Sequence, residues 1–354
     1  MKNFKVKAGL LTGAPLTFPG DLAVDYVIRP AVTSGRVEDY MKVVYGVKSR
    51  QQVIFADPIV KITRVDPGCG QGVNNPTVSR TQKWWEPVDV KAWVDQCWVE
   101  LKGTIHEKQL KSGNDKSDLT NTQVEKLMLD LLEPAAYSDF LRMLWLSKTT
   151  INASELTNGA TDVPHYNQVN GFWALIFAGF GAVTIKRKTI AENNGAAGAQ
   201  GLGSGRAYAI LASVFANANT VLKQVDKSKK VLYVTRGVYE EYETWLESKD
   251  SLESSYAKLQ DGQTTLTFRG VPLIITDIVD QFLDSDFNLS GVVSMPNRVI
   301  LTVKDNFQVG VDGDTSDPTA LEVWYNRDTE KWNGRLKYKI ATMIAEEKYV
   351  SVAY

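Results

Sequence analysis

Apolar side chains fall three and four residues apart between residues 123 and 146. Val124, Leu127, Met128, Leu131 and Leu132 recur in this way, and Phe140, Leu141, Leu144 and Trp145 continue the pattern. That spacing lines up one face of an α-helix, with Thr120 or Asn121 as its cap. Unbroken, such a helix spans about 36 Å at 1.5 Å per residue. Pro134 predicts a kink or break inside it, because proline lacks the N–H that the helix requires. Before this segment the pattern is β-rich: runs at 52–65 and 88–101 flank the turn-rich residues 66–79, which hold Pro67, Gly68, Gly70, Gly72 and Pro76. This predicts a long hairpin. Trp84, Trp85, Trp93 and Trp98 lie in its second limb. Two strands cannot cover both faces of such a ribbon, so the rings fill either this chain's core or a neighbour's surface.

Beyond residue 148 the elements shorten and mix. The pattern predicts an apolar helix over 170–180, a strand over 182–189, and a glycine-alanine loop over 192–205 with too few bulky side chains to pack. A helix over 206–222, a strand over 230–235, a helix over 238–246 and two strands, 264–268 and 271–276, joined at Gly270, follow. Val299–Val303 reads as a buried strand. Leu321, Val323 and Tyr325 alternate with Glu322, Trp324 and Asn326; past a connector, Leu336, Tyr338 and Ile340 alternate with Arg335, Lys337 and Lys339. A half-buried antiparallel pair fits this alternation, with a basic row on its outer face. Residues 349–354 read as a further strand tied into a sheet. The proline-punctuated residues 1–45 read as an extended arm. Its Phe4, Leu16, Phe18 and Tyr26 need an apolar surface elsewhere, on this chain or on another.

Composition narrows the function classes. The 354 residues are 44% hydrophobic, enough to bury one large core or two linked ones. With 40 basic and 41 acidic side chains, the net charge of −1 supplies no field to condense onto nucleic acid or an anionic membrane. Cys69 and Cys97 stand in no CxxC spacing, so they read as two free thiols, neither a disulfide framework nor a metal site. The first residues carry no continuous apolar h-region, which predicts a chain made and kept in the cytosol. The nearest approach to a membrane span, residues 171–185, is too short and dotted with glycine.

Candidate chemistry is sparse. Gly201, Gly203 and Gly205 form GxGxG followed by Arg206, with neither the third glycine step of a dinucleotide site nor the lysine of a phosphate loop. His106 and Glu107 begin an H-E-x-x pattern that Leu110 ends, and the other histidine, His165, falls in a polar stretch. Asp312, Asp314 and Asp317 faintly resemble a calcium loop, but position 323 is valine where the bidentate carboxylate belongs. No catalytic, cofactor or metal site is expected. An aromatic-lined carbohydrate-binding or hydrolase domain around Trp84 and Trp85 is a reading from another class.

The order of these parts, together with VLYVTRGVYEEY from Val231, FRGVPLI from Phe268, NRVILTVKDN from Asn297, LKYKIAT from Leu336 and YVSVAY from Tyr349, resembles the major capsid protein of tailed bacteriophages, with the Hong Kong 97-type or Johnson fold. The resemblance implies an α+β chain. Its parts would be an N-terminal arm (1–45), an extended β-hairpin loop (46–103) over the adjacent subunit and a peripheral domain with a spine helix (104–149). An axial domain (150–290), returning peripheral strands (291–345) and a terminal strand of the axial sheet (346–354) would complete it. It further implies a structural protein and no enzyme, self-assembling into hexamers and pentamers of an icosahedral shell in the host cytoplasm and ending in the virion. Packaged double-stranded DNA would be touched only weakly; portal, scaffolding and decoration proteins would be further partners, and no cofactor or membrane is implied. Trp84, Trp85, Arg335, Lys337 and Lys339 are the candidate subunit-interface residues. An encapsulin-type nanocompartment shell is similar in fold, and the nucleic-acid content of purified particles separates the two.

Overall fold

The computed structural model describes residues 40–56, 80–97, 99, 113, 123–181, 184–249, 256–258, 264–312 and 320–354. Most of the expected arm, the hairpin tip with Cys69, Trp98, His106 and Glu107, and the aspartates 314 and 317 lie outside these residues. In chain order the first elements are β1 (Lys42–Val44), β2 (Gln51–Ala56), β3 (Arg80–Trp85), β4 (Val88–Cys97), α1 (Gln123–Leu146), α2 (Val163–Tyr166), α3 (Phe172–Gly181) and β5 (Lys186–Lys188). Next come α4 (Arg206–Asn217), α5 (Thr220–Gln224), β6 (Lys230–Val234), α6 (Arg236–Glu247), β7 (Tyr256–Lys258), β8 (Thr264–Phe268), β9 (Val271–Ile275) and α7 (Asp277–Asp286). The chain continues through β10 (Asn288–Leu289), β11 (Val292–Val293), β12 (Val299–Val303), β13 (Phe307–Val311), β14 (Ala320–Asn326), β15 (Lys331–Ile344) and β16 (Ser351–Ala353). Among the described residues no helix is long and apolar enough to cross a membrane.

Two sheets organise the molecule. The larger has the order β5-β16-β12-β6-β9-β8-β7, with β6 antiparallel to β12 and parallel to β9. All five residues of β6 are buried, as expected of a central strand covered on both faces. Its alternation divides two layers. Leu232 and Val234 join Ile210, Leu211 and Val214 of α4 and Val238 of α6, while Val231 and Tyr233 join Leu141, Leu144 and Trp145 of α1, Phe172 of α3 and Ile278 of α7. The strands β8 and β9 turn on Arg269 and Gly270 at φ 53° and 80°. Two successive left-handed residues are the tight hairpin geometry that places glycine there.

The second sheet is built on β15, the longest described strand, which pairs with β4, β13 and β14. Leu336, Tyr338 and Ile340 of β15 enter the same apolar cluster as Trp145, Phe172, Tyr233 and Phe307, so one continuous core joins the two sheets. At its centre Phe172 stacks on Phe307 with centroids 4.7 Å apart, and Trp145 meets Phe172, Tyr233 and Phe307 edge-on at 5.5, 5.4 and 6.1 Å. Each such buried ring contributes about 1.5–3 kcal/mol through area removed from water.

Several expectations are corrected. Of the run expected at 88–101, the described residues 88–97 do not form the second limb of the hairpin; β3 does, paired with β2 from Gln51↔Trp85 to Ala56↔Arg80. Pro87 has no N–H to donate to a ladder, so the chain leaves the hairpin there. It then pairs along β15 from Val88↔Ile340 to Cys97↔Lys331. The helix α1 runs through Pro134 without a break. The helix expected over 206–222 is two, divided at Ala218 and Asn219, where the Asn219 side chain accepts the N–H of Val221 at 3.2 Å and caps α5. Of the strand expected over 182–189, the described residues 184–189 keep only β5. His165 sits on the single-turn α2, not in a loop.

The glycine-alanine loop also departs from expectation, because buried amides hold it. Asn193 Nδ2 donates to the carbonyl of Asn297 at 2.7 Å, and the Asn297 N–H returns to Asn193 Oδ1 at 3.0 Å. Gln200 Nε2 donates to the carbonyls of Asn193 and Val293 at 3.1 and 2.8 Å, while its Oε1 accepts from the Val293 N–H at 2.9 Å. Asn297 Nδ2 closes the network on the Gln200 carbonyl at 2.8 Å. Polar bonds thus do the packing that bulky side chains do elsewhere.

Candidate subunit interface

The basic row on β15 acquires its neighbours from register. Arg335 lies opposite Glu322 of β14 and Trp93 of β4; Lys337 lies opposite Lys91; Lys339 lies opposite Asp89. These side chains share the outer face, since Leu336, Tyr338 and Ile340 point into the core. Trp93 and Trp324 meet edge to face with centroids 5.3 Å apart. Lys91 sits 4.5 Å over the Trp93 ring and Arg335 5.3 Å over the Trp324 ring, in the range of cation–π attraction. Arg335 Nε donates to Glu322 at 3.0 Å, and Lys339 lies 3.7 Å from Asp89 while donating to the Lys48 carbonyl at 2.8 Å. At the far end of the face Lys331 pairs with Asp95 at 2.5 Å.

Two members of the row, Arg335 and Lys339, therefore have partners within the chain. Lys337 is exposed and faces Lys91 across the ladder, and like charges directly opposite are unfavourable. A carboxylate from outside would relieve that contact. Trp93 adds a ring that is 46% exposed, so the face couples apolar area to an excess of positive charge.

The tryptophan pair on β3 divides. Trp84 is 40% exposed, with the Arg50 guanidinium 4.5 Å over its ring, and Ile54 on β2 is 61% exposed. Register puts Gln52 opposite Trp84 and Ile54 opposite Gln82, so Trp84 and Ile54 share one face of the hairpin. Trp85 turns the other way. It is buried with Val47, Ala341 and Met343, and a Cβ on Gly310 would stand 3.0 Å from its ring. It belongs to this chain's own core and offers almost nothing to a neighbour, which corrects its place among the interface candidates. Trp324, Lys91 and Glu322, which the sequence did not single out, share this candidate face, and their place on it becomes visible only when β4 is known to pair with β15.

A charged pair, the half-buried Asp280 and the buried Arg298, lies near where α6 and α7 begin. Asp280 accepts the Arg236 N–H at 2.9 Å, and desolvation, its largest influence, pushes its carboxyl up to about 7. Arg298, buried over Trp173 at 4.7 Å, donates to the carbonyls of Met295 and Ser294 at 2.7 and 2.9 Å. Burial lowers it to about 9, so it stays cationic at neutral pH. A carboxyl raised in the folded state stabilises most below its unfolded value of about 3.9, and that contribution is lost as pH rises through about 7. Asp280→Asn keeps an oxygen for the Arg236 N–H and does not titrate. The thermal midpoint of the native protein relative to the variant is therefore expected to fall between about pH 4 and pH 7, and a pH-independent difference would refute the assignment. Among the described residues no group of three His, Cys, Asp or Glu side chains converges as a metal site.

A mixed sheet packed between helical layers, joined through one core to a second sheet on a long strand, with a separate two-stranded hairpin, is the fold of phage capsid proteins of the Hong Kong 97 type. The chain is similar over 94% of its length to 96% of a chain from the capsid of Myoviridae phage XM1, with TM-score 0.57 and 11% identity. It is similar over 98% of its length to 93% of a chain from the capsid of cyanophage P-SCSP1u, with TM-score 0.52 and 11% identity. For the procapsid of satellite phage P4, determined with its size determination protein, the shares are 93% and 92%, the TM-score 0.51 and the identity 11%. No protein-family model and no curated protein matches the sequence.

Proposed function

We propose that this chain is the major capsid protein of a tailed phage, a structural protein without catalytic activity. Its copies join into hexamers and pentamers of an icosahedral shell around double-stranded DNA. The observation that carries this is end-to-end likeness of fold: 94% of this chain follows 96% of the phage XM1 capsid chain at TM-score 0.57. Residues 1–45 serve as the arm and 46–87 as the extended loop, while β4 joins the peripheral sheet through β15. Residues 104–149 and 291–345 build the peripheral domain, while 150–290 and 346–354 build the axial domain. The Trp84–Ile54 face of the hairpin and the outer face with Trp93, Arg335 and Lys337 bury against neighbouring copies. The near-zero net charge suits a wall that encloses packed DNA without binding it tightly. Portal, scaffolding and decoration proteins complete the set of partners, assembly takes place in the host cytoplasm, and the virion is the destination.

Size-exclusion chromatography with negative-stain microscopy of the expressed protein is expected to show rings or closed shells. Uniform monomers under every ionic condition and concentration would defeat the proposal. Particles that carry protein cargo and no DNA after expression in infected cells would assign the chain to a nanocompartment shell instead.

A further inference from the structure

A second charged surface lies away from the peripheral face, where β6 begins. An open cleft of about 1020 Å³ runs between the ends of α4 and α5 and the β8–β9 turn. Its apolar wall includes Phe215 and Leu222, and its cations are Lys223, Lys227, Lys230 and Arg269. Asp226 is the one carboxylate in its lining. Lys230 is the telling member. The residue is only 5% exposed, and its Nζ donates to the backbone carbonyl of Lys223 at 3.2 Å. Among the described residues no carboxylate lies within ion-pair distance of it. Burial, and next the charge of Lys227, lower its pKa from the ordinary lysine value. An ammonium group with three donors, desolvated beside further cations, is stabilised by an anion brought into the cleft.

The apolar wall favours a carboxylate-bearing protein surface over a bare phosphate chain, because an occupant that covers the half-buried Phe215 and Val225 also removes apolar area from water. This chain presents such a surface. Glu240, Glu243 and Glu247 of α6 fall at helical steps of three and four and so share one face; Glu240 and Glu247 are exposed. The helix α6 starts beyond Thr235, at the opposite end of β6 from Lys230. None of the three ridge glutamates lines the cleft.

We propose that the Lys223–Lys227–Lys230–Arg269 cleft of one copy receives the Glu240–Glu243–Glu247 ridge of α6 from a second copy. Each copy gives its cleft to one neighbour and its ridge to another, a heterologous contact that propagates head to tail and closes a ring when the rotation between copies allows it. The inference rests on the shell reading and specifies which surfaces of the axial domain pair within a capsomer.

Charge reversal of exposed positions tests it in the full-length protein. Lys223→Glu with Lys227→Glu makes the cleft acidic, and Glu240→Lys with Glu247→Lys makes the ridge basic. Circular dichroism checks that each variant folds. Each pair alone is expected to raise the protein concentration needed for assembly roughly tenfold or more in sedimentation velocity. All four changes in one chain restore complementarity and are expected to bring that concentration back within about threefold of wild type. In a 1:1 mixture of the two pairs unlike copies are complementary in both orders, so the mixture is expected to recover six-membered rings, in which they can alternate, and not five-membered ones. Wild-type assembly by either pair alone overturns the proposal, as does failure of the four-fold variant to recover. If the cleft variant assembles normally but its particles retain less DNA, the occupant is a phosphate backbone and the proposal fails while the shell reading stands. A wild-type chain that never assembles defeats both, so the two failures are distinguishable.

Discussion

Trp145→Ala is expected to destabilise the protein by about 3–5 kcal/mol, the usual cost of deleting a fully buried large aromatic side chain. Trp145 has no exposed surface and touches the rings of Phe172, Tyr233 and Phe307. Those rings come from α3, β6 and β13, so the vacated space opens where the two sheets share a core. The stacks of Phe172 and Tyr233 on Phe307 run through the same point, which restricts how far the site can collapse. Trp145→Phe isolates the cause. The indole Nε1–H has no hydrogen-bond partner among the described residues, and phenylalanine removes that buried donor while keeping an aromatic ring. It is expected to cost roughly half as much or less. Urea unfolding followed by far-ultraviolet circular dichroism measures both. Equal losses for Ala and Phe would show that the ring contacts are not what stabilises this junction.

Gln200→Ala is expected to cost about 2–4 kcal/mol, nearly as much, from a side chain that fills no apolar space. The substitution strips partners from the Asn193 carbonyl, the Val293 carbonyl and the Val293 N–H at once. The Asn193 group is buried and the two Val293 groups are partly buried, so each loses a bond that offset its desolvation. Gln200→Glu should do no better than alanine: it retains an acceptor for the Val293 N–H but turns a carboxylate toward two carbonyl oxygens. A change within about 0.5 kcal/mol of wild type, the range of ordinary surface substitutions, would mean that the loop is not held through this residue.

These two positions also mark what was legible in the sequence and what was not. Trp145 lies in a helical apolar stripe, and β6 is an unbroken apolar run; both reveal burial by pattern alone. The alternation in β14 and β15 likewise marks the inner and outer faces before any contact is known. The role of Gln200 leaves no such trace, because its partners Asn193, Val293 and Asn297 lie up to 97 residues away, and no local period encodes a hydrogen bond across that separation. Strand pairing was the other gap. The hydrophobic pattern shows that residues 88–97 form a strand but not which edge it joins, and β15 competes successfully with the hairpin for it. That choice placed Trp93, Trp324 and Lys91 on one face, so the composition of the candidate interface was hidden while its basic row was visible. Trp84 and Trp85 differ by one residue, and in a strand that difference sends one ring outward and the other inward.

The arrangement around β15 also has a mechanical meaning. Residues 331–337 pair with β14 and with β4, and Ile340 pairs with β4 and with β13. It follows that β14 and β13 lie end to end along one edge of β15 while β4 occupies the other. A pull along this strand loads its ladders in shear, many bonds together, whereas a pull across a hairpin end opens bonds one after another. A wall tiled with such strands would resist tension from pressure inside it, stretching as a sheet before any single subunit peeled open.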